Sequence, residues 1–236
     1  MESEKKTGVT GRVVASTHPE VWSQTIHAAR DTQSHCLLGI HPWWATHYTM
    51  QTRRQHLNWL ASCRDVHGLG EIGLDYARAK TKQERTLQMT VLEEQLTLAI
   101  EHSWPILLHC VRAHSDLLHI LRGFSTATLR GVFHGWTGGP QYVAPAVELG
   151  LYLSFGPAVL DERRTKIQES ARAVPSDRLC IETDWPDGWH RIPHTPNSGY
   201  LRAIAIHLAQ VRGVSVSEIW ATCGANAATL WDISNG

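Results

Sequence analysis

Five polar side chains of this sequence stand where a strand-like apolar run stops. His41 follows Leu-Leu-Gly-Ile, and Glu71 lies in Gly-Leu-Gly-Glu-Ile-Gly-Leu-Asp. His109 ends Ile-Leu-Leu-His, His134 ends Gly-Val-Phe-His, and Asp184 ends Cys-Ile-Glu-Thr-Asp. A buried strand that finishes in a carboxylate or an imidazole is costly unless that group has a partner. One such residue alone reads as a loop cap. Five in register imply one shared site at one rim of a parallel sheet, where parallel barrels carry their catalytic groups. Two imidazoles and two carboxylates without a nearby thiolate suit zinc, manganese or iron, and magnesium less well because of the histidines. A carboxylate can bridge two ions, and two ions about 3.5–4 Å apart can clamp the attacking and leaving oxygens of a phosphodiester. Asp184 would then hold an ion-activated water and accept its proton.

Other chemistries are poorly served. Gly68-Leu-Gly70-Glu-Ile-Gly73 satisfies G-x-G-x-x-G, but a dinucleotide site needs those glycines after a strand and opening a helix. Here the strand signal overlaps the glycines, and Leu74-Asp75-Tyr76 and the residues that follow have no helical apolar face. There is no G-x-S-x-G elbow, no phosphate loop ending in Gly-Lys-Ser/Thr, and no H-E-x-x-H.

The elements that must hold these residues follow from the apolar pattern. Strand-length runs at residues 12–16, 36–40, 68–72, 106–109, 131–134, 151–155 and 179–183 are apolar on both faces, as strands buried in a parallel sheet are. Between them the period becomes helical. Leu92, Leu96, Ala99 and Ile100 share a face, as do Ile167, Ala171 and Val174, and then Leu201, Ile204, Leu208 and Val211. Ser215 with Glu218 three residues on reads as a capping-box start for the last helix. Strand and helix in alternation predict a parallel α/β sheet with right-handed crossovers. The count is seven strands, whereas a closed parallel barrel has eight.

Bulk properties bound the rest. The 236 residues carry 22 basic and 22 acidic side chains, with 42% hydrophobic and 19% charged residues, an ordinary composition for a folded soluble chain. At zero formal charge the sequence shows no basic stripe of the kind a duplex-gripping protein usually carries, so a nucleic-acid substrate is expected to be held locally. Five scattered cysteines without C-x-x-C argue against a disulfide framework or a zinc ribbon, and for a reducing, cytoplasmic setting. No membrane span and no secretory leader is read. Residues 1–8 read as a polar extension and 9–236 as a single domain.

The motifs together resemble one family. Gly39-Ile-His41-Pro42, Gly70-Glu71-Ile-Gly73-Leu-Asp75-Tyr76, Pro105-Ile-Leu-Leu-His109-Cys110, Phe133-His134-Gly-Trp-Thr-Gly138 and Glu182-Thr-Asp184-Trp-Pro186 resemble the TatD family of metal-dependent hydrolases. Asn226 with Leu230-Trp231 looks like that family's C-terminal Asn-x-x-x-Leu-Phe box, and the likeness runs from about Val9 to Ile233. It implies a TIM-like (β/α) barrel and metal-dependent hydrolysis of phosphodiesters, typically DNA, as single strands or at ends. It implies one or two divalent ions per chain, zinc, manganese or magnesium. It carries Glu71 over as a bridging ligand, His109 and His134 as ligands of one ion, and Asp184 as ligand of the other and general base. His41 falls where the family has a pocket histidine. An amidohydrolase or lactonase could use the same ligands.

This sequence also departs from the family pattern. Family members open with a strand ending in His-x-His, and this sequence contains no His-x-His. Its first run resembles the family's second strand, which implies an incomplete barrel of seven strands, with His18 a remote candidate for a substitute ligand. A catalytically impaired relative with a binding role is the alternative. Val111 stands where relatives often place an arginine, leaving Arg112 to contact substrate. Trp136 and Trp185 replace smaller family residues, and with Trp43, Trp44 and Trp189 they flank the motifs. Bases can stack on such rings; packing loops over the barrel mouth is the other reading. The sequence does not fix an oligomeric state.

Overall fold

The computed structural model describes residues 9, 11–124, 129–184 and 197–233. Its strands are β1 (Val13–Ala15), β2 (His35–Leu38), β3 (Gly68–Asp75), β4 (Ile106–Val111), β5 (Gly131–Phe133), β6 (Tyr152–Phe155) and β7 (Leu179–Ile181). Helices α1 (Trp22–Thr32), α2 (Met50–Ser62), α3 (Lys82–Glu101), α4 (His114–Gly123), α5 (Val143–Glu148), α6 (Thr165–Ala173), α7 (Asn197–Arg212) and α8 (Val216–Trp231) alternate with them. The seven strands follow one another in sheet order from β1 to β7. All seven expected runs are strands, and the described residues divide into two compact units, one within Gly11–Val132 and the other from Phe133 onward.

In the Gly11–Val132 unit, β1, β2, β3 and β4 pair in parallel in that order. Leu37, Leu38, Leu69, Ile72, Leu74, Ile106 and Leu108 are all fully buried, which is why their runs are apolar on both faces. Helix α3 packs on β3 and on the turn Pro42–His47. It starts one turn earlier than its apolar period suggests, because Thr81 and Glu84 form a reciprocal capping box. Two buried glutamines on α3 then do what aliphatic residues could not. Gln95 accepts from Ile40 N (2.7 Å) and donates to Ile40 O (3.1 Å). Gln88 accepts from Asp75 N (2.9 Å) and donates to Pro42 O (3.1 Å). Seven residues apart, they share one face of the helix and satisfy backbone groups where β2 and β3 end. The segments carrying His41 and Asp75 are thereby fixed.

His114 opens α4 and is buried, and burial pushes its imidazole down from 6.5 to about 4. The unfolded chain therefore binds more protons than the folded one between those values. The stability His114 contributes is full above about pH 6.5 and is lost as pH falls toward its folded value. We expect unfolding free energy to drop by about 1.4 kcal/mol per pH unit per bound proton in that window. Urea titrations across it, compared with His114→Gln, check this; parallel pH dependence in the two proteins would contradict it.

In the other unit β6 and β7 run parallel, with Leu153 opposite Leu179 and Phe155 opposite Ile181. Ser215 caps α8 by accepting from Glu218 N at 3.1 Å, as its spacing predicts. Asn226, the polar residue of the C-terminal box, donates to Ser176 O (2.7 Å) and Leu179 O (2.8 Å), tying α8 to the start of β7. All five cysteines are free thiols. Among the described residues no helix is long and apolar enough to cross a membrane.

Candidate metal centres

The strand ends make the sites. Arg112 after β4, Gly135 directly after His134, and Asp184 after β7 have φ of 56°, 51° and 53°. β5 and β7 stop short of their apolar runs, at Phe133 and Ile181, whereas β4 runs two residues past its own, to Val111. Aspartate tolerates the left-handed region better than most residues because its short polar side chain can bond locally.

Within Gly11–Val132, His41, Glu71 and His109 bring three ligand atoms within 4.8 Å of one another. His41 precedes the turn Pro42–His47 and is buried. Glu71 lies where the β3–β4 register shifts, between Leu69 and Ile72. Its N–H leaves that ladder and donates to Ser16 O at 2.8 Å, and a bulge of this kind re-aims a side chain. Glu71 Oε2 lies 3.6 Å from His41 Nε2 and 3.9 Å from His109 Nδ1. His109 is held from behind, its Nε2 3.4 Å from Asp75 Oδ2. Asp75 is buried, which alone would raise its carboxyl. Hydrogen bonds from His109, Trp43 and the Arg78 N–H outweigh that and hold it far below the usual carboxylate range.

In the second unit His134, Glu182 and Asp184 form a like group. His134 Nδ1 lies 3.6 Å from Glu182 Oε1 and 3.9 Å from Asp184 Oδ1. Glu182 Oε1 accepts the Gly135 N–H, and the Glu182 N–H donates to Phe155 O at 3.2 Å.

Both groups suit a divalent cation. Two donors each about 2.1 Å from one ion stand roughly 3.4 Å apart in a tetrahedral site and up to about 4.2 Å apart on opposite sides of an octahedral one. The carboxylate–imidazole separations of 3.6 and 3.9 Å fall in that range. Mixed nitrogen and oxygen donors suit zinc or manganese, and the carboxylate behind His109 is the usual outer partner of a metal-binding histidine.

Compared with known protein families, residues 1–232 match the model described as TatD related DNase. The chain belongs to the TatD family. A 3'-5' ssDNA/RNA exonuclease TatD of Erwinia amylovora is 30% identical over 238 residues, taking in 97% of this chain and 91% of that protein. An uncharacterized metal-dependent hydrolase of Bacillus subtilis, YabD, is 31% identical over 181 residues, 74% of this chain and 69% of that one. Among solved structures, the TatD homologue YJJV of Escherichia coli K12 matches with a TM-score of 0.84 at 27% identity, covering 97% of this chain and 89% of that one. A TatD family hydrolase of Entamoeba histolytica matches at 0.82 and 18% identity over 97% and 87% of the two chains, a likeness of fold alone. The fold is thus the TIM-like α/β arrangement of TatD proteins, built with seven strands among the described residues. Donor groups of this composition in a TatD chain are those of a divalent-metal protein.

Of the residues that the TatD likeness singles out, Glu71 lies with His109, and His134 with Asp184. His41, expected as a pocket histidine, sits against Glu71. Arg112 is exposed beyond β4. Trp136 is a correction: at 2% exposure, packed edge-on against Phe133 at 5.3 Å, its ring has no open face on which a base could stack. Trp185 and Trp189 lie outside the described residues. His18 stacks on Trp44, ring centroids 3.8 Å apart, and belongs to neither donor group. Glu182 and Asp75 stand inside the family motifs, yet sequence reasoning assigns neither a role. The signal for Glu182 is its place directly after the apolar residues Leu179–Ile181 and two residues before Asp184, a second carboxylate at the same strand end.

Proposed function

We propose that this TatD protein is a metal-dependent phosphodiesterase that removes nucleotides from single-stranded DNA or RNA ends, in a cytoplasmic setting. The observation that carries this reading is the pair of carboxylate–imidazole groups, each gathered at the ends of parallel strands. Glu71 with His109, and His134 with Asp184, are the ligands, with Glu71 and Asp184 the catalytic carboxylates. A divalent cation held by these residues would supply Lewis-acid assistance at the phosphoryl oxygen and would bring the pKa of water to about 7. Asp184 orients the attacking water and takes its proton. Glu182, held by the Gly135 N–H, keeps His134 in place. Arg112, exposed just past His109, contacts the phosphate. Trp43 is 42% exposed with the Arg78 guanidinium 4.6 Å over its ring, a surface on which an unpaired base can stack.

The test is hydrolysis of end-labelled single-stranded DNA, single-stranded RNA and duplex by the purified chain, before and after chelation. Chelation is expected to lower the rate more than about 100-fold, since all Lewis-acid assistance is removed. Manganese or zinc should restore it, with single strands preferred and products shortening from one end. Turnover that survives chelation would refute the reading. Tight single-strand binding without turnover in any metal would favour the binding-only alternative.

A further inference from the structure

Trp43 is a large aromatic residue 42% exposed, with the Arg78 guanidinium over its ring and the His41 and His109 rings at its edge. Both of its N–H groups serve the His41–Glu71–His109 group. The Trp43 backbone N–H donates to His41 Nδ1 at 3.1 Å. Its indole Nε1–H donates to Asp75 Oδ2 at 2.6 Å, the oxygen that faces His109 Nε2. The other Asp75 oxygen accepts from Ala77 N (2.8 Å) and Arg78 N (3.1 Å). With three N–H donors already on its two oxygens, the Asp75 carboxylate is an acceptor toward whatever else it faces.

Tautomers follow from these bonds. Facing the accepting Asp75 oxygen at 3.4 Å, His109 carries its proton on Nε2. Its lone pair is therefore on Nδ1, the nitrogen 3.9 Å from Glu71. His41 is the reverse case. Its Nδ1 lone pair receives the Trp43 N–H, so the neutral ring is protonated on Nε2, 3.6 Å from Glu71 Oε2. A nitrogen that carries a proton does not ligate a metal.

We infer that Trp43 is a positioning residue for this metal group: acting through Asp75 it presents His109 Nδ1 as a ligand, and through its backbone it keeps the protonated Nε2 of His41 turned toward the Glu71 carboxylate, so that His41 is not a ligand. This rests on the metal reading above and assigns the three apparent donors to different tasks. Glu71 and His109 bind the ion, whereas His41 orients the Glu71 carboxylate.

Histidine-selective 15N labelling of the full chain tests it directly. In the metal-free protein both rings should be Nε2–H tautomers, with the His109 Nε2 proton shifted downfield by its carboxylate partner. Adding zinc should move His109 Nδ1 from the lone-pair range to the metal-bound range and leave both His41 nitrogens outside the metal-bound range. Trp43→Phe keeps an aromatic ring and the backbone N–H but removes the indole donor. It should shift the His109 Nε2–H resonance in the metal-free protein and weaken zinc binding, measured by chelator competition, about 10-fold. His41→Gln should change zinc affinity less than about 3-fold, and His109→Gln more than about 100-fold. A zinc-induced shift of a His41 nitrogen into the metal-bound range, or equal losses in His41→Gln and His109→Gln, would overturn the assignment. So would a Trp43→Phe protein with unaltered His109 resonance and zinc affinity. If the wild type bound no zinc, the metal reading would fall, while the metal-free resonances would still decide the tautomers.

Discussion

Glu71→Gln and Asp184→Asn are each expected to lower the rate of single-strand hydrolysis by at least about 1000-fold, roughly 4 kcal/mol of lost transition-state stabilisation. Each amide matches its carboxylate in shape, so packing is little disturbed. What changes is charge. Glu71 occupies the register break of β3, and its Oε2 faces both imidazoles of its group, at 3.6 and 3.9 Å. A neutral amide there weakens the hold on a divalent cation and cannot bridge two. Asp184 combines ligation with proton acceptance, and an amide does neither at neutral pH. Excess metal should therefore rescue Glu71→Gln in part and Asp184→Asn hardly at all. Glu182→Gln is the informative comparison. Its carboxylate is already engaged by the Gly135 N–H, an amide oxygen can accept the same bond, and the expected loss is nearer to about 10-fold. Steady-state rates at saturating manganese, with far-ultraviolet circular dichroism as the folding control, give all three numbers. Wild-type turnover in either Glu71→Gln or Asp184→Asn would remove that residue from the catalytic machinery.

The strand framework was legible in the sequence because burial on both faces leaves a simple mark. Leu37, Leu38, Leu108, Leu153 and Phe155 are all fully buried, and each sits in a short continuous apolar run. Where each strand stops was less legible. The apolar pattern carries the fifth run to His134 and the seventh to Thr183. The chain in fact leaves the sheet at Phe133 and Ile181, and the left-handed turns at Gly135 and Asp184 that follow are encoded by no apolar pattern. The ligand candidates were visible because a polar residue at the end of a buried run is conspicuous. Their partners were not. Gln88 and Gln95 sit on the buried face of α3, where only tertiary contact with Ile40, Pro42 and Asp75 explains them. Trp43 and Trp136 look alike as flanking aromatics, yet one is 42% exposed and the other 2%. Their difference depends on the path of the loop, which composition does not set.

The glycines of the apparent dinucleotide motif give the other large expected effect. Gly73→Ala should destabilise the fold by about 4 kcal/mol, the sum of a sparsely allowed backbone conformation and an overpacked contact. Gly73 has φ of 144°, which side-chain-bearing residues rarely adopt, and a methyl group there would run into the carbonyl oxygen of His109. That oxygen belongs to the β4 backbone and cannot swing aside as a flexible side chain would. Gly68 and Gly70 face the same strand and its lead-in: a Cβ on Gly68 would lie 2.5 Å from Pro105 O, and one on Gly70 2.6 Å from Leu107 Cβ. The spacing thus serves close approach of β3 to β4, setting Glu71 and His109 within reach of each other, and has no phosphate to cradle. A loss of that size is a large share of a typical stability of about 5–15 kcal/mol. It should appear as a marked drop in the urea midpoint, accompanied by weaker zinc binding as His109 is pushed from Glu71. A dinucleotide should raise the melting temperature of neither wild type nor variant. Stabilisation of the wild type by a dinucleotide, abolished in Gly73→Ala, would instead return the glycines to a phosphate-binding role.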